Sequence, residues 1–264
     1  MVWFYQLPIW VVAVLFVAIL FLAMEAGFRF GLRESRTSKN SAKLNRSDVT
    51  LASMFALLGL LLAFTYSFAL NRADLRKQAV VAEANAIGTA FLRADLAEEP
   101  GRTVLREALL EYAQSRVINP SVASDTEQAR REIARSLEIQ AKLWPATKLA
   151  LQGDVPVPVQ TSIVQSINEV LDQHSRRLEI GFDRLPAVVL FLLVIIAATT
   201  LAVAANDAGR LGSMNRRRMS AFALILAALM VIIVDFDQPL DGLILGNSDS
   251  LVELVQNLEA SVGD

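Results

Sequence analysis

The chain has 264 residues, 54% of them apolar, with a mean hydropathy of +0.43, a net charge of −2 and no cysteine. The apolar share exceeds the roughly 45–50% of ordinary soluble domains, and the near-neutral charge gives no basic field for nucleic acid. The missing thiols exclude disulfides, cysteine nucleophiles and cysteine-held metals.

The apolar excess is concentrated in four runs, at residues 7–24, 49–70, 186–205 and 219–234. A hydrocarbon core about 30 Å thick needs roughly 20 apolar residues of helix. The second and third runs meet that length, and the first and fourth lean on flanking residues. None contains a charged side chain. Residues 1–10 lack the Lys or Arg that opens a secretory signal, so the first run is expected to be a retained span. The pattern predicts an all-α integral membrane protein with four transmembrane helices and a helical-bundle insert between spans two and three. Residues 1–70 and 186–236 form two transmembrane hairpins, residues 71–185 the extramembrane bundle, and residues 237–264 an acidic tail.

The loop at 25–48 carries six bases against three acids, and the loop at 206–218 carries four against one. Short basic loops stay in the cytoplasm. The insert and both termini are therefore expected outside it, although Arg72, Arg76, Lys77, Arg176, Arg177 and Arg184 flank the insert side.

The second run has no stop signal. It continues past Leu70 without proline, so one helix is expected from the membrane to about Leu96, with Gly88 as a point of fraying. A second helix reads 102–117, with Leu105, Leu109 and Tyr112 on one stripe. A third follows Ser124, whose spacing to Glu127 is that of a capping box. It carries Ile133, Leu137, Ala141 and Trp144 until Pro145 kinks or ends it. Two prolines make 155–159 a poor strand. The last helix of the insert carries Ile163, Ile167, Val170, Leu171, His174, Leu178 and Phe182 into the third span. In the tail, Leu251, Leu254, Val255, Leu258 and Val262 follow helical spacing. With an acidic polar face, that helix is expected to pack on the insert or on a neighbouring subunit rather than on anionic lipid.

Few residues point to chemistry. No HExxH, GxSxG, Walker A or GxGxxG pattern occurs, so no enzyme activity, metal site or cofactor is expected. His174, the single histidine, lies on an apolar stripe, where packing is the commoner role. Asp235 and Asp237 close the fourth run. They mark the membrane boundary or, alternatively, collect cations or hold an arginine. In the second span Ser53, Gly59, Thr65, Tyr66 and Ser67 are small or polar. Such residues either line a pore or let helices approach closely.

The stretch 56–96, ALLGLLLAFTYSFALNRADLRKQAVVAEANAIGTAFLRADL, resembles the bacterial bestrophin-like membrane family. The matching positions include Arg72, Arg76, Glu83, Asn85, Gly88, Thr89 and Arg93. A second match is IVDFDQPLDGLI, with Asp235, Asp237 and Pro239. The resemblance implies a four-span protein of the bacterial inner membrane, distantly like bestrophins, which are pentameric anion channels whose second helix lines the pore. It therefore implies a homo-oligomer in the lipid bilayer, with ions as the transported species. On that reading Phe55, Leu58, Gly59, Leu62, Thr65, Tyr66 and Ser67 are candidates to line the pathway, with Arg72 and Arg76 at its mouth. The other class of function left open is a non-enzymatic sensor or assembly protein whose insert binds a ligand or partner.

Overall fold

The computed structural model describes residues 8–37, 47–117, 126–237 and 249–262. These residues form eight helices: α1 (Ile9–Thr37), α2 (Ser47–Ala94), α3 (Gly101–Arg116), α4 (Thr126–Ala150), α5 (Val157–Phe182), α6 (Ala187–Arg210), α7 (Arg216–Asp237) and α8 (Asp249–Val262). No strand occurs among the described residues. The chain divides into two units. Among the described residues, one holds those up to 72 and those of 184–237, and the other holds those of 73–183 and 249–262.

The first unit contains the membrane spans. Helices α1, α2, α6 and α7 are each long and apolar enough to cross a bilayer. The chain is a multi-pass membrane protein. Lipid is as apolar as leucine, so spans associate through close packing rather than through hydrophobic burial. The sequence provides for this at α1 and α6. A methyl group at Gly27 would stand 2.1 Å from the carbonyl oxygen of Ala202, and one at Gly31 equally close to that of Asn206. One at Gly209 would meet the Phe28 carbonyl at 2.4 Å. These three glycines let the two backbones touch. Val12, Phe16, Leu20 and Met24 recur every four residues along α1, and all are buried. They share a core with Leu193, Ala197 and Leu201 of α6, Leu226 and Met230 of α7, and Leu58 and Leu62 of α2. Leu22, Phe64 and Ile195 lie on outer faces and are exposed, as suits side chains in contact with lipid.

The second unit is a bundle of the C-terminal part of α2 with α3, α4, α5 and α8. Its core joins Ile87 and Phe91 to Leu105, Leu109, Leu143, Ile163, Ile167, Leu251 and Leu258. The predicted stripe on α5 holds: Ile163, Ile167, Val170 and His174 are buried. Pro156 precedes that helix and proline fills its first turn, where a missing N–H costs nothing. The tail helix packs its leucines into this same core. Gln114 and Arg106 bind its Glu259 side chain and Ser261 carbonyl.

Three sequence expectations need correction. Helix α2 passes Gly88 without a break and ends at Ala94. Of the two outcomes expected at Pro145, the ending does not occur, because helix α4 runs through it to Ala150. Pro145 and Ala141, whose carbonyl loses its partner, both lie on the exposed face, where solvent can satisfy it. The buried face of α4 is also not the expected one. Ser136, Ile139, Leu143 and Ala146 point inward, whereas Leu137 and Trp144 are 46% and 40% exposed. Ser124 lies outside the described residues.

Candidate functional site: the second helix and its extension

Helix α2 has 48 residues. At 1.5 Å per residue it reaches about 70 Å, more than twice a hydrocarbon core. The seven pathway candidates on its first half divide between two faces. Leu58, Leu62 and Thr65 are buried against the other spans, and the Thr65 hydroxyl donates back to the Leu61 carbonyl at 2.8 Å. Phe55 stacks edge-on against Phe222, and Tyr66 against Phe236. Gly59 and Ser67 are exposed, and nothing lies within 4 Å of a methyl group built on Gly59. With Ala52, Ala56 and Ala63 they make an exposed row of small side chains at spacings of three and four residues.

Arg72 and Arg76 are half-buried. Arg76 Nη2 donates to the Asp183 carbonyl at 3.0 Å, so its guanidinium is held by the backbone ahead of the third span.

Beyond Arg76, α2 presents two different faces. Glu83 points into the second unit and is fully buried. Arg116 Nε lies 2.7 Å from its Oε1, and Arg177 Nη1 2.5 Å from its Oε2. The Tyr112 hydroxyl donates to Oε1 at 2.8 Å. Arg116 also donates to Ser136 Oγ, which in turn donates to the Ile133 carbonyl. Burial opposes ionisation of Glu83, but the two guanidiniums and their hydrogen bonds outweigh it. Its carboxyl is held below the usual carboxylate range. Tyr112 has given its single proton to Glu83, so at the 2.9 Å contact with His174 it must accept. His174 is therefore protonated on Nδ1, and its buried Nε2 has no partner. Burial, then the charge of Arg116, lowers its pKa to about 4, so the ring is neutral at physiological pH. Burial and the Glu83 carboxylate push the Tyr112 hydroxyl well above its ordinary range.

Glu83 is thus the centre of a closed ionic network that reasoning from the sequence did not assemble. The signal was available in register. Arg116 extends the row Leu105, Leu109, Tyr112, and Arg177 extends the row Val170, His174. A charge at a core position of an apolar stripe calls for a buried partner.

The other face carries Asn85, Thr89 and Arg93, each four residues apart, and it is open. With Gln165, Ser166, Glu169 and Gln173 of α5 they line a groove of about 520 Å³. Arg93 Nη1 donates to the Ser162 carbonyl at 3.1 Å. Gln173 donates to Glu169 at 2.7 Å, while its own Oε1 has no partner. Gly88 faces Leu254 of the tail helix, where an added methyl would stand 3.3 Å from Cδ1, close enough that the leucine must shift. At the end of α7, Asp235 and Asp237 are buried. Both oxygens of Asp237 accept the Leu185 N–H, at 2.8 and 3.1 Å, just before the third span starts. Pro239 lies outside the described residues. No cluster of three or more metal-ligating side chains occurs among the described residues.

Residues 14–244 match the family model for the bestrophin-like domain. The chain belongs to the bestrophin-like family. Solved structures agree on the fold of this bestrophin-like protein. A point mutant of a bacterial bestrophin homologue from Klebsiella pneumoniae has a TM-score of 0.64 at 11% identity, covering 93% of this chain and 99% of the other. A second mutant of the Klebsiella pneumoniae homologue gives 0.59 at 11% identity, over 97% and 99%. A crystal structure described as that of a membrane protein gives 0.62 at 12% identity, over 97% and 99%. At these identities the likeness speaks of fold alone. A search of curated proteins finds no match.

Proposed function

We propose that this bestrophin-like protein is a subunit of a homo-oligomeric ion channel of the bacterial inner membrane, with α2 lining the pathway. The observation that carries the reading is the helix itself. It is one uninterrupted element with an exposed row of small and hydroxyl side chains in the span, at Ala52, Ala56, Gly59, Ala63 and Ser67. Past the span it carries a polar row, exposed Asn85 and Thr89 and half-buried Arg93, facing the groove. Small residues leave room around a shared axis, and apolar ones can gate by dewetting. Among the predicted pathway residues, Gly59, Tyr66 and Ser67 are exposed, and the two small ones lie on this row, while Leu58, Leu62 and Thr65 support the helix from behind.

Anion conduction is the finer part of the proposal. It rests on Arg93 in the groove and on the anion-channel nature of the bestrophins that the family is named for. The orientation proposed from loop charge places the insert and both termini outside the cytoplasm.

Substituted-cysteine accessibility tests the pathway, because the chain has no native cysteine. Thiol reagents should block current through Ser67→Cys and Asn85→Cys channels and leave Leu58→Cys channels unaffected. Block at Leu58→Cys with none at Ser67→Cys would overturn the assignment.

A further inference from the structure

We propose that a groove between α1 and α7 binds one anionic glycerophospholipid, an acyl chain along the groove and the phosphate at Arg216. The groove holds about 530 Å³ and lies wholly within the membrane unit. Its wall on α1 is Ala18, Phe21, Leu22, Met24 and Glu25, within two turns of the helix. Arg216 and Ser220, one turn apart on α7, close the opposite side.

The composition is graded along the helix. Apolar side chains fill one end, and charge and a hydroxyl stand at the other, the arrangement of a lipid with its headgroup at the interface. The charge balance selects the headgroup. Glu25 is the acid at the rim, and two bases already match it: Arg29 Nε at 3.0 Å and Arg216 Nη1 at 3.2 Å. Arg216 lies over the Phe28 ring, its centre 5.6 Å away, which holds the guanidinium at the mouth. Its side chain stays 62% exposed and can bind a further group. Arg217 and Arg218 follow on α7 and are exposed. The rim is therefore positive in excess, which favours a phosphodiester without a compensating ammonium. Ser220 supplies a hydroxyl donor one turn deeper.

Native mass spectrometry of the full-length protein in detergent tests this, with dioleoyl phosphatidylglycerol, phosphatidylethanolamine or phosphatidylcholine added at equal concentration. The chain should retain phosphatidylglycerol at one per subunit in preference to the other two. Arg216→Gln should lower that retention about fivefold, the effect of one base at an anionic surface, while Arg218→Gln, with the same charge change outside the groove, should lower it less. Ala18→Trp, which fills the apolar end, should lower retention of all three lipids. Gel filtration and thermal unfolding confirm that each variant is folded. Equal retention of the three lipids, equal effects of Arg216→Gln and Arg218→Gln, or no bound lipid at all would overturn the proposal.

Discussion

Glu83 shows how one side chain can fix a bundle. Its carboxylate serves two guanidiniums from helices 33 and 94 residues away. Removing one partner from a buried ionic network leaves the others desolvated, which costs about 3–5 kcal/mol. Glu83→Gln keeps the shape and removes the charge, so Arg116 and Arg177 lose their counterion. Thermal unfolding of the variant should show that loss, whereas a change at the exposed Glu98 should not. The pH dependence follows from the same network. His174 has a folded pKa of about 4 against 6.5 unfolded. The unfolded chain binds the extra proton first, so stability falls as the pH drops from 6.5 to 4. The loss is about 3 kcal/mol for a fully formed network. Glu83, with its lowered pKa, adds a further loss at more acidic pH. A denaturation series from pH 7.5 to 4 should show the slope, and His174→Gln should flatten it between 6.5 and 4.

At the scale of elements, the glycines of the membrane unit separate packing from function. Gly31→Ala places a methyl 2.1 Å from a backbone oxygen on α6, and neither backbone can yield without separating the helices. Overpacking of this kind costs about 1–3 kcal/mol, read as a lower unfolding temperature in detergent. Gly59→Ala meets open space. It should not lower the stability of the isolated chain, since alanine is the better helix former, and an altered conductance in that variant would mark the exposed face of α2 as functional. The four spans were legible in the sequence because length and apolarity decide them, and α2 was legible because no proline interrupts it. The inward face of α4 was not. Ser136 is buried because Arg116 reaches it from α3, while Leu137 and Trp144 remain outside. An apolar count registers side chains but not their partners across the fold. The Glu83 network escaped for the same reason: the sequence displays its charges in register, but not which of them meet.

For the whole molecule, the family and the fold stand on independent grounds, and the channel reading makes demands of its own. A pathway bounded by one exposed face of α2 needs several copies around an axis. Mass photometry in detergent should find four or more subunits; a monomer would favour the sensor or assembly reading. Impermeant thiol labelling of single cysteines at exposed positions such as Leu96 and Gly212 in intact cells reads the orientation. Labelling at Leu96 alone is expected from the loop charges. The most direct test is planar-bilayer recording of the purified oligomer under a potassium chloride gradient. Unitary currents should reverse toward the chloride equilibrium potential and be blocked by thiol reagents in Ser67→Cys. A folded, oligomeric preparation that passes no current at any salt concentration or pH would contradict it.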